Sequence, residues 1–163
     1  MKNLCFAVFL SLLGLGAHGQ QPADPHHAGV VRRGDQVMGF SHEKTIHHFR
    51  LTAEGGTIEA LATDPSDAAS RAQIRGHLEH IAEMFQNGNF NAPMLIHAQT
   101  PPGVPTMKKL RKEIRYDVAE TPTGARVKVS SADPQAIAAI HDFLKFQIKD
   151  HQTGDPLTIE PLN

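Results

Sequence analysis

Histidine and methionine are the residues of this sequence whose types and spacing could do chemistry. The chain has 11 histidines and five methionines, and it has no tryptophan. His77, His80 and Met84 follow one another at intervals of three and then four residues, which aligns their side chains along one line of a helix. Imidazole and thioether ligands, in the absence of thiolates, suit copper better than zinc, calcium or magnesium.

Other stretches of the chain supply further ligands to the same predicted site. His47 and His48 are neighbours in a predicted strand, so their side chains point to opposite faces of a sheet. His47 shares its face with Phe49 and therefore points toward the helices. Met94 lies three residues before His97 in a proline-rich segment. We predict a metal site, with copper as its ion, formed by His47, His77, His80, Met84, Met94 and His97.

Alternatives to a metal site remain open at this point. In one, the histidines satisfy hydrogen bonds of the core, and residues 92–105 form a proline-rich loop that binds a protein partner. The sequence supports haem binding less, because the chain lacks a Cys-x-x-Cys-His motif and has few aromatic residues. It also gives little support for an enzyme: there is no Gly-x-Ser-x-Gly elbow and no phosphate-binding glycine loop, and "HLEH" has the wrong spacing for a zincin helix.

Composition and the first residues predict an exported protein. The formal net charge of -1 gives no electrostatic reason to expect nucleic acid or an anionic membrane as a partner. Residues 1–19 combine a basic start at Lys2, an apolar run and small residues before Gln20, as in a signal peptide. Cys5, the only cysteine, lies inside that run, so the mature chain has neither disulfides nor thiolates. We expect a periplasmic or secreted protein that has no membrane contact after the signal is removed.

The pattern along the chain predicts one α+β domain built from a duplicated ββα unit. Two hairpins are each followed by an Asp-Pro pair, a helix and a glycine stop, over residues 45–88 and 108–154. Two such units can share a core as a four-stranded, mainly antiparallel sheet with two helices on one face. Residues 89–107 link them with four prolines and are predicted to form no regular helix. A flexible leader over residues 20–40 and a tail over 156–163 flank the domain, residues 41–155.

Alternation along the strands predicts which side chains meet the helices. Residues expected on the inner face are Phe49, Leu51, Ile114, Tyr116, Val118, Val127 and Val129. The helices offer one apolar stripe each, namely Ile74, Leu78, Ile81 and Phe85, and then Ile137, Ile140, Leu144 and Ile148.

Three stretches, "HHFRL...GGTIEA", "DAASRAQIRGHLEHIAEMFQNGNFNAPMLIH" and "PPGVPTMKKL", resemble a family of small exported bacterial proteins without established function. The resemblance covers most of residues 38–155 and implies the fold unit and export. Members of that family are often named aspartate carbamoyltransferase. The Ser-Thr-Arg-Thr-Arg phosphate-binding signature of carbamoyltransferases is absent from this chain, which is also too short for their two domains. The resemblance therefore implies no catalytic residue.

Overall fold

The computed structural model of the chain describes residues 24–159. The predicted signal peptide lies outside these residues. Five helices and four strands follow one another as α1 (Pro25–Met38), β1 (Thr45–Thr52), β2 (Gly55–Ala62), α2 (Ala68–Gln86), α3 (Asn91–His97), α4 (Val104–Lys109), β3 (Ile114–Thr121), β4 (Gly124–Ser131) and α5 (Pro134–Asp150). One turn of 3-10 helix, His42–Lys44, precedes β1.

The predicted α+β architecture is confirmed. All neighbouring strands are antiparallel, in the order β1-β2-β4-β3, so the second strands of the two hairpins pair at the centre. Helices α2 and α5 each begin after an aspartate whose carboxylate accepts backbone N–H groups, Asp67 for α2 and Asp133 for α5. Both helices pack on one face of the sheet, α2 over β3 and β4 and α5 over β1 and β2.

The core lies between the sheet and these two helices. Phe49, Leu51, Ile114, Val127 and Val129 are buried on the inner face, as strand alternation predicts. The inner face of β3 is less well covered, because β3 is an edge strand. Tyr116 is only half-buried there, and Val118 is 38% exposed. The helices contribute Ile74, Leu78 and Phe85 from α2, and Ile140, Phe143 and Leu144 from α5.

The flexible leader predicted over residues 20–40 is corrected by α1. Asp24 accepts a hydrogen bond from the backbone N–H of His26, Pro25 occupies the first turn, and Gly39 ends the helix in the left-handed conformation. Val30 is buried, and the Arg33 guanidinium donates to the carbonyl of Ile96 at 2.7 Å. Gly29 and Gly34 form part of the buried face of α1, so this face gives little hydrophobic signal in the sequence. Because glycine has no side chain, α1 can approach α3 closely.

The proline-rich linker also contains more helix than predicted. Helices α3 and α4 both lie within or across residues 89–107, and their prolines, Pro93 and Pro105, stand in the first turn. First-turn N–H groups have no partner inside a helix, so proline is tolerated there. Phe90, Val104 and Met107 anchor the segment in the core, each 1% exposed or less. Residues 92–105 are therefore folded against the domain.

The chain after α5 returns to the free edge of β1. One carboxylate oxygen of Asp155 accepts the backbone N–H of Phe49, and the other lies 2.9 Å from the His48 ring. Ile159 then forms a parallel bridge with Leu51. Along residues 24–159, no helix has both the length and the apolar character that crossing a membrane requires.

Candidate functional site

A cavity of about 60 Å³ lies under the edge of the sheet, where β1, α1, α2, α3 and α5 meet. Most of its lining is apolar, but four imidazoles face it. We call it the histidine cavity and define it by these residues: His47, His77, His97 and His151, with Met38 beside them. The volume suffices for a few water molecules, or for one ion with its ligands.

Each imidazole reaches the cavity from a different element. His47 points inward because it shares the inner face of β1 with Phe49. His77 stands on the side of α2 next to Leu78, and His97 is the last residue of α3. His151 is the C-cap of α5, where its backbone N–H donates to Gln147.

The rings lie close to one another. The ring centroids of His47 and His151 are 5.8 Å apart with planes 23° from parallel, and those of His97 and His151 are 4.9 Å apart at a right angle. The Phe40 ring lies near both His47 and His77, with centroid distances of 6.3 Å and 5.3 Å. Phe40 therefore connects His77 to the cluster of His47, His97 and His151.

Three of these histidines are held neutral. Burial lowers the pKa of His47 to about 4, with a smaller contribution from the nearby His48. Burial likewise lowers the pKa of His77 to about 4 and that of His151 to about 3, and in both cases the neighbouring imidazoles add to the effect. Bringing an imidazole out of water disfavours its charged form. At neutral pH these rings therefore keep an unprotonated nitrogen.

The same three rings have no hydrogen-bond partner among residues 24–159; their contacts there are with other rings. These three residues are only partly buried, and none of their ring nitrogens is among the fully buried side-chain atoms without a hydrogen-bond partner in the described part of the chain. Nitrogens that face a cavity without a protein partner are available to water, to an ion or to a small ligand.

His97 is engaged in a different way. Its side chain is 1% exposed, and both ring nitrogens have partners: Nδ1 contacts the Asp150 carboxylate, and Nε2 lies 2.9 Å from the Gln147 side-chain amide. Asp150 also contacts the His26 ring of α1 at 2.8 Å. Burial raises the pKa of Asp150, but hydrogen bonds with His97 and His26 outweigh it, and the pKa falls below its ordinary value. This network joins α1, α3 and α5, which gives His97 a structural role.

The six predicted ligands are thus divided. His47, His77 and His97 meet at the histidine cavity. His80 is exposed and, with Met84, lines an outer groove of about 240 Å³ that shares His77, Ile81 and Ala92 with the cavity. Met94 lies in a third depression. The predicted line on α2 exists, but the helix turns its later members away from the cavity.

The predicted set of six ligands does not include His151 or Met38, which also line the cavity. A signal for His151 was present, since it lies three residues after Ile148 and continues the apolar stripe of α5. Met38 precedes β1 in the predicted leader, and only the folding of α1 reveals where it points.

The donor set limits what the cavity could hold. Within residues 24–159, no group of three or more histidine, cysteine, aspartate or glutamate side chains is arranged to hold a metal ion. A tetrahedral zinc site needs such a group. None of the residues that line the cavity is a serine, threonine, cysteine, aspartate or glutamate, so its polar side chains are the imidazoles and the Gln147 amide.

No family model, curated protein or solved structure matches the chain. The resemblance to the exported bacterial family therefore stays a prediction, and the function has to be argued from the site.

Proposed function

We propose that the chain is an exported protein that binds copper(I) in the histidine cavity, with His47 and His151 as nitrogen ligands and the Met38 thioether as a sulfur ligand. Export rests on the signal-like residues 1–19. The ligand set differs from the one that spacing along the sequence predicts, because His80, Met84 and Met94 lie outside the cavity.

The separation of the His47 and His151 rings carries the proposal. With metal to nitrogen distances near 2.0 Å, two imidazoles on one ion have ring centroids roughly 5 to 6.5 Å apart. The observed 5.8 Å falls within that interval. Both rings are neutral and have no hydrogen-bond partner within residues 24–159. The pair meets the first requirement of a ligand, an available lone pair.

The rest of the cavity favours the reduced, soft ion. Copper(I) accepts few ligands and binds thioethers, whereas zinc needs three or more donors arranged around one point, and residues 24–159 contain no such group. Met38 lines the same cavity as the two histidines, and the lining is otherwise mainly apolar. A mainly apolar cavity that offers a thioether also disfavours hydrated copper(II), which prefers tetragonal nitrogen and oxygen ligands.

Titration with copper(I) tests the proposal. The mature chain is titrated anaerobically against a colorimetric copper(I) chelator, in parallel with zinc and copper(II). We expect one equivalent of copper(I) to bind, and the affinity to fall at least about tenfold in His47→Gln and in His151→Gln.

His80→Gln is the matched control, because it removes an exposed imidazole outside the cavity. Its copper(I) affinity should equal that of the unmodified chain. Failure of the unmodified chain to compete for copper(I), or equal losses in all three variants, would overturn the proposal.

A further inference from the structure

The two edges of the sheet are finished differently. Residues 155–159 cover the edge of β1, where the Phe49 N–H donates to Asp155 and Leu51 bridges to Ile159. At the opposite edge, no strand among residues 24–159 pairs with the outer side of β3. An exposed strand edge presents unpaired backbone groups and is a template for pairing with another chain.

The register of the β3 and β4 hairpin identifies the unpaired groups. Thr121 and Gly124 close a two-residue turn and form a hydrogen-bonded pair, so alternate residues counted back from Thr121 bond to β4. The residues between them, which include Tyr116 and Val118, direct their N–H and C=O groups away from the sheet. The same rule on β1 assigns Phe49 to the outer set, in agreement with its bond to Asp155.

The side chains of β3 are also incompletely used. Val118 points to the helix side of the sheet but is 38% exposed. On the other face, the side chains of Arg115 and Asp117 are exposed and have no ion-pair or hydrogen-bond partner in the described part of the chain. Lys128 stands opposite Asp117 in the register, but its ammonium group binds Glu54 instead, at 3.0 Å.

We propose that a second copy of this chain pairs with β3, antiparallel to it, to give a dimer with one continuous eight-stranded sheet. A two-fold axis perpendicular to the sheet relates the copies, so both put their helices on the same side. Paired residues of an antiparallel sheet point to the same face. In this dimer, each pair must therefore join two β3 residues whose side chains point to the same face of the sheet. The axis then passes beside one residue of β3 and not between two residues.

Charge selects one register. With the axis beside Tyr116, Arg115 of each copy stands opposite Asp117 of the other, which forms two opposite-charge pairs. With the axis beside Asp117, the two Asp117 carboxylates oppose each other, which is unfavourable. With the axis beside Val118, Asp117 faces only Ala119. The first register also brings the two Tyr116 residues onto adjacent positions, and the Tyr116 hydroxyl is buried without a partner within residues 24–159.

Sedimentation velocity on the mature chain, over micromolar to submillimolar concentrations, tests the pairing. We expect a reversible dimer. Arg115→Asp alone and Asp117→Arg alone place like charges opposite each other and should raise the dissociation constant of the dimer at least about tenfold. The double variant Arg115→Asp with Asp117→Arg exchanges the charges and should restore the dimer.

Controls separate pairing from general charge effects and from misfolding. Lys109→Asp changes an exposed charge on α4 and should leave the dissociation constant unaltered. Circular dichroism verifies that each variant folds. Because the mature chain has no cysteine, Arg115→Cys with Asp117→Cys should give a disulfide-linked dimer upon oxidation. A chain that is monomeric at every concentration, or single variants that dimerise like the unmodified chain, would overturn the proposal.

Discussion

The imidazole ring centroids of His47 and His151 lie 5.8 Å apart at the same cavity, one on the first strand and the other at the end of the last helix. Burial lowers the pKa of both rings, to about 4 for His47 and about 3 for His151, because it disfavours the charged form. Neither ring has a hydrogen-bond partner within residues 24–159. The proposed copper(I) site depends on this pair of neutral imidazoles.

Stability should decrease as the pH falls from about 6.5 toward 4.5. The pKa of His47 is about 4 and that of His151 about 3 in the folded chain, against an ordinary value of 6.5, so the unfolded chain binds protons more readily. The stabilisation is complete above pH 6.5 and is lost as the pH falls toward the folded pKa. Each such histidine contributes up to about 1.4 kcal/mol per pH unit. Urea unfolding at several pH values measures the slope.

The double variant His47→Gln with His151→Gln supplies the control for that slope. It should lose less stability between pH 6.5 and 4.5 than the unmodified chain. The pKa values of Asp150 and Asp155 lie below their ordinary value of 3.8, so these carboxylates act at lower pH and do not confuse the comparison. Identical slopes in the two proteins would contradict the assignment.

Asp150 should be a stability determinant through His97. Asp150→Ala leaves the buried His97 Nδ1 without its acceptor and should cost about 1 to 3 kcal/mol in the free energy of unfolding. Asp150→Asn retains an acceptor oxygen and should cost less. Because Asp150 also contacts His26, hydrogen exchange in α1 should accelerate in Asp150→Ala. Asp142→Ala, at an exposed position of the same helix, should change neither quantity.

The architecture could be predicted because its determinants are local. Two-residue periodicity identifies the inner faces of β1, β3 and β4. One Asp-Pro pair lies close to the beginning of α2, and the other coincides with the beginning of α5. Helix α2 begins three residues after Pro65, because Asp67 rather than the Asp64 of that pair caps it. Repetition of the same order of signals then predicts one sheet shared by both units.

The site could be predicted only in part, because long-range packing forms it. The inward direction of His47 follows from alternation along one strand. Whether Met84 or Met38 lines the histidine cavity depends on the rotation of α2 and on the packing of α1. No short sequence pattern determines either of these. Helix α1 escaped prediction because its buried face uses Gly29 and Gly34, which carry no hydrophobic signal.

Gly103 should be intolerant of a side chain. Its φ of 82° is left-handed, and a Cβ atom there would lie 2.0 Å from the Ala139 carbonyl oxygen of α5. Gly103→Ala must push α4 away from α5 and should cost more than about 2 kcal/mol in the free energy of unfolding. Thermal and urea unfolding measure it.

Gly76→Ala is the matched control for that substitution. Gly76 is exposed within α2, and a Cβ atom there would meet no other group within 4 Å. Alanine should stabilise the chain by about 0.5 to 1 kcal/mol, since it favours the helix and restricts the unfolded state. Equal destabilisation by the two substitutions would contradict the packing of α4 against α5 described above.

Met38 should matter for the affinity of copper(I) and little for the fold. Leucine has a similar volume and keeps the apolar contacts of Met38, but it has no sulfur, so Met38→Leu should change the free energy of unfolding by less than about 1.5 kcal/mol. The same variant should weaken copper(I) binding about tenfold or more if the thioether is a ligand. Met84→Leu makes the identical change in the outer groove and should leave the affinity unaltered.

Because a bound ion stabilises only the folded state, the rise in melting temperature caused by copper(I) should shrink in Met38→Leu and persist in Met84→Leu. The opposite ranking of the two variants would transfer the sulfur ligand to α2, and equal affinities would leave His47 and His151 as the whole of the proposed site.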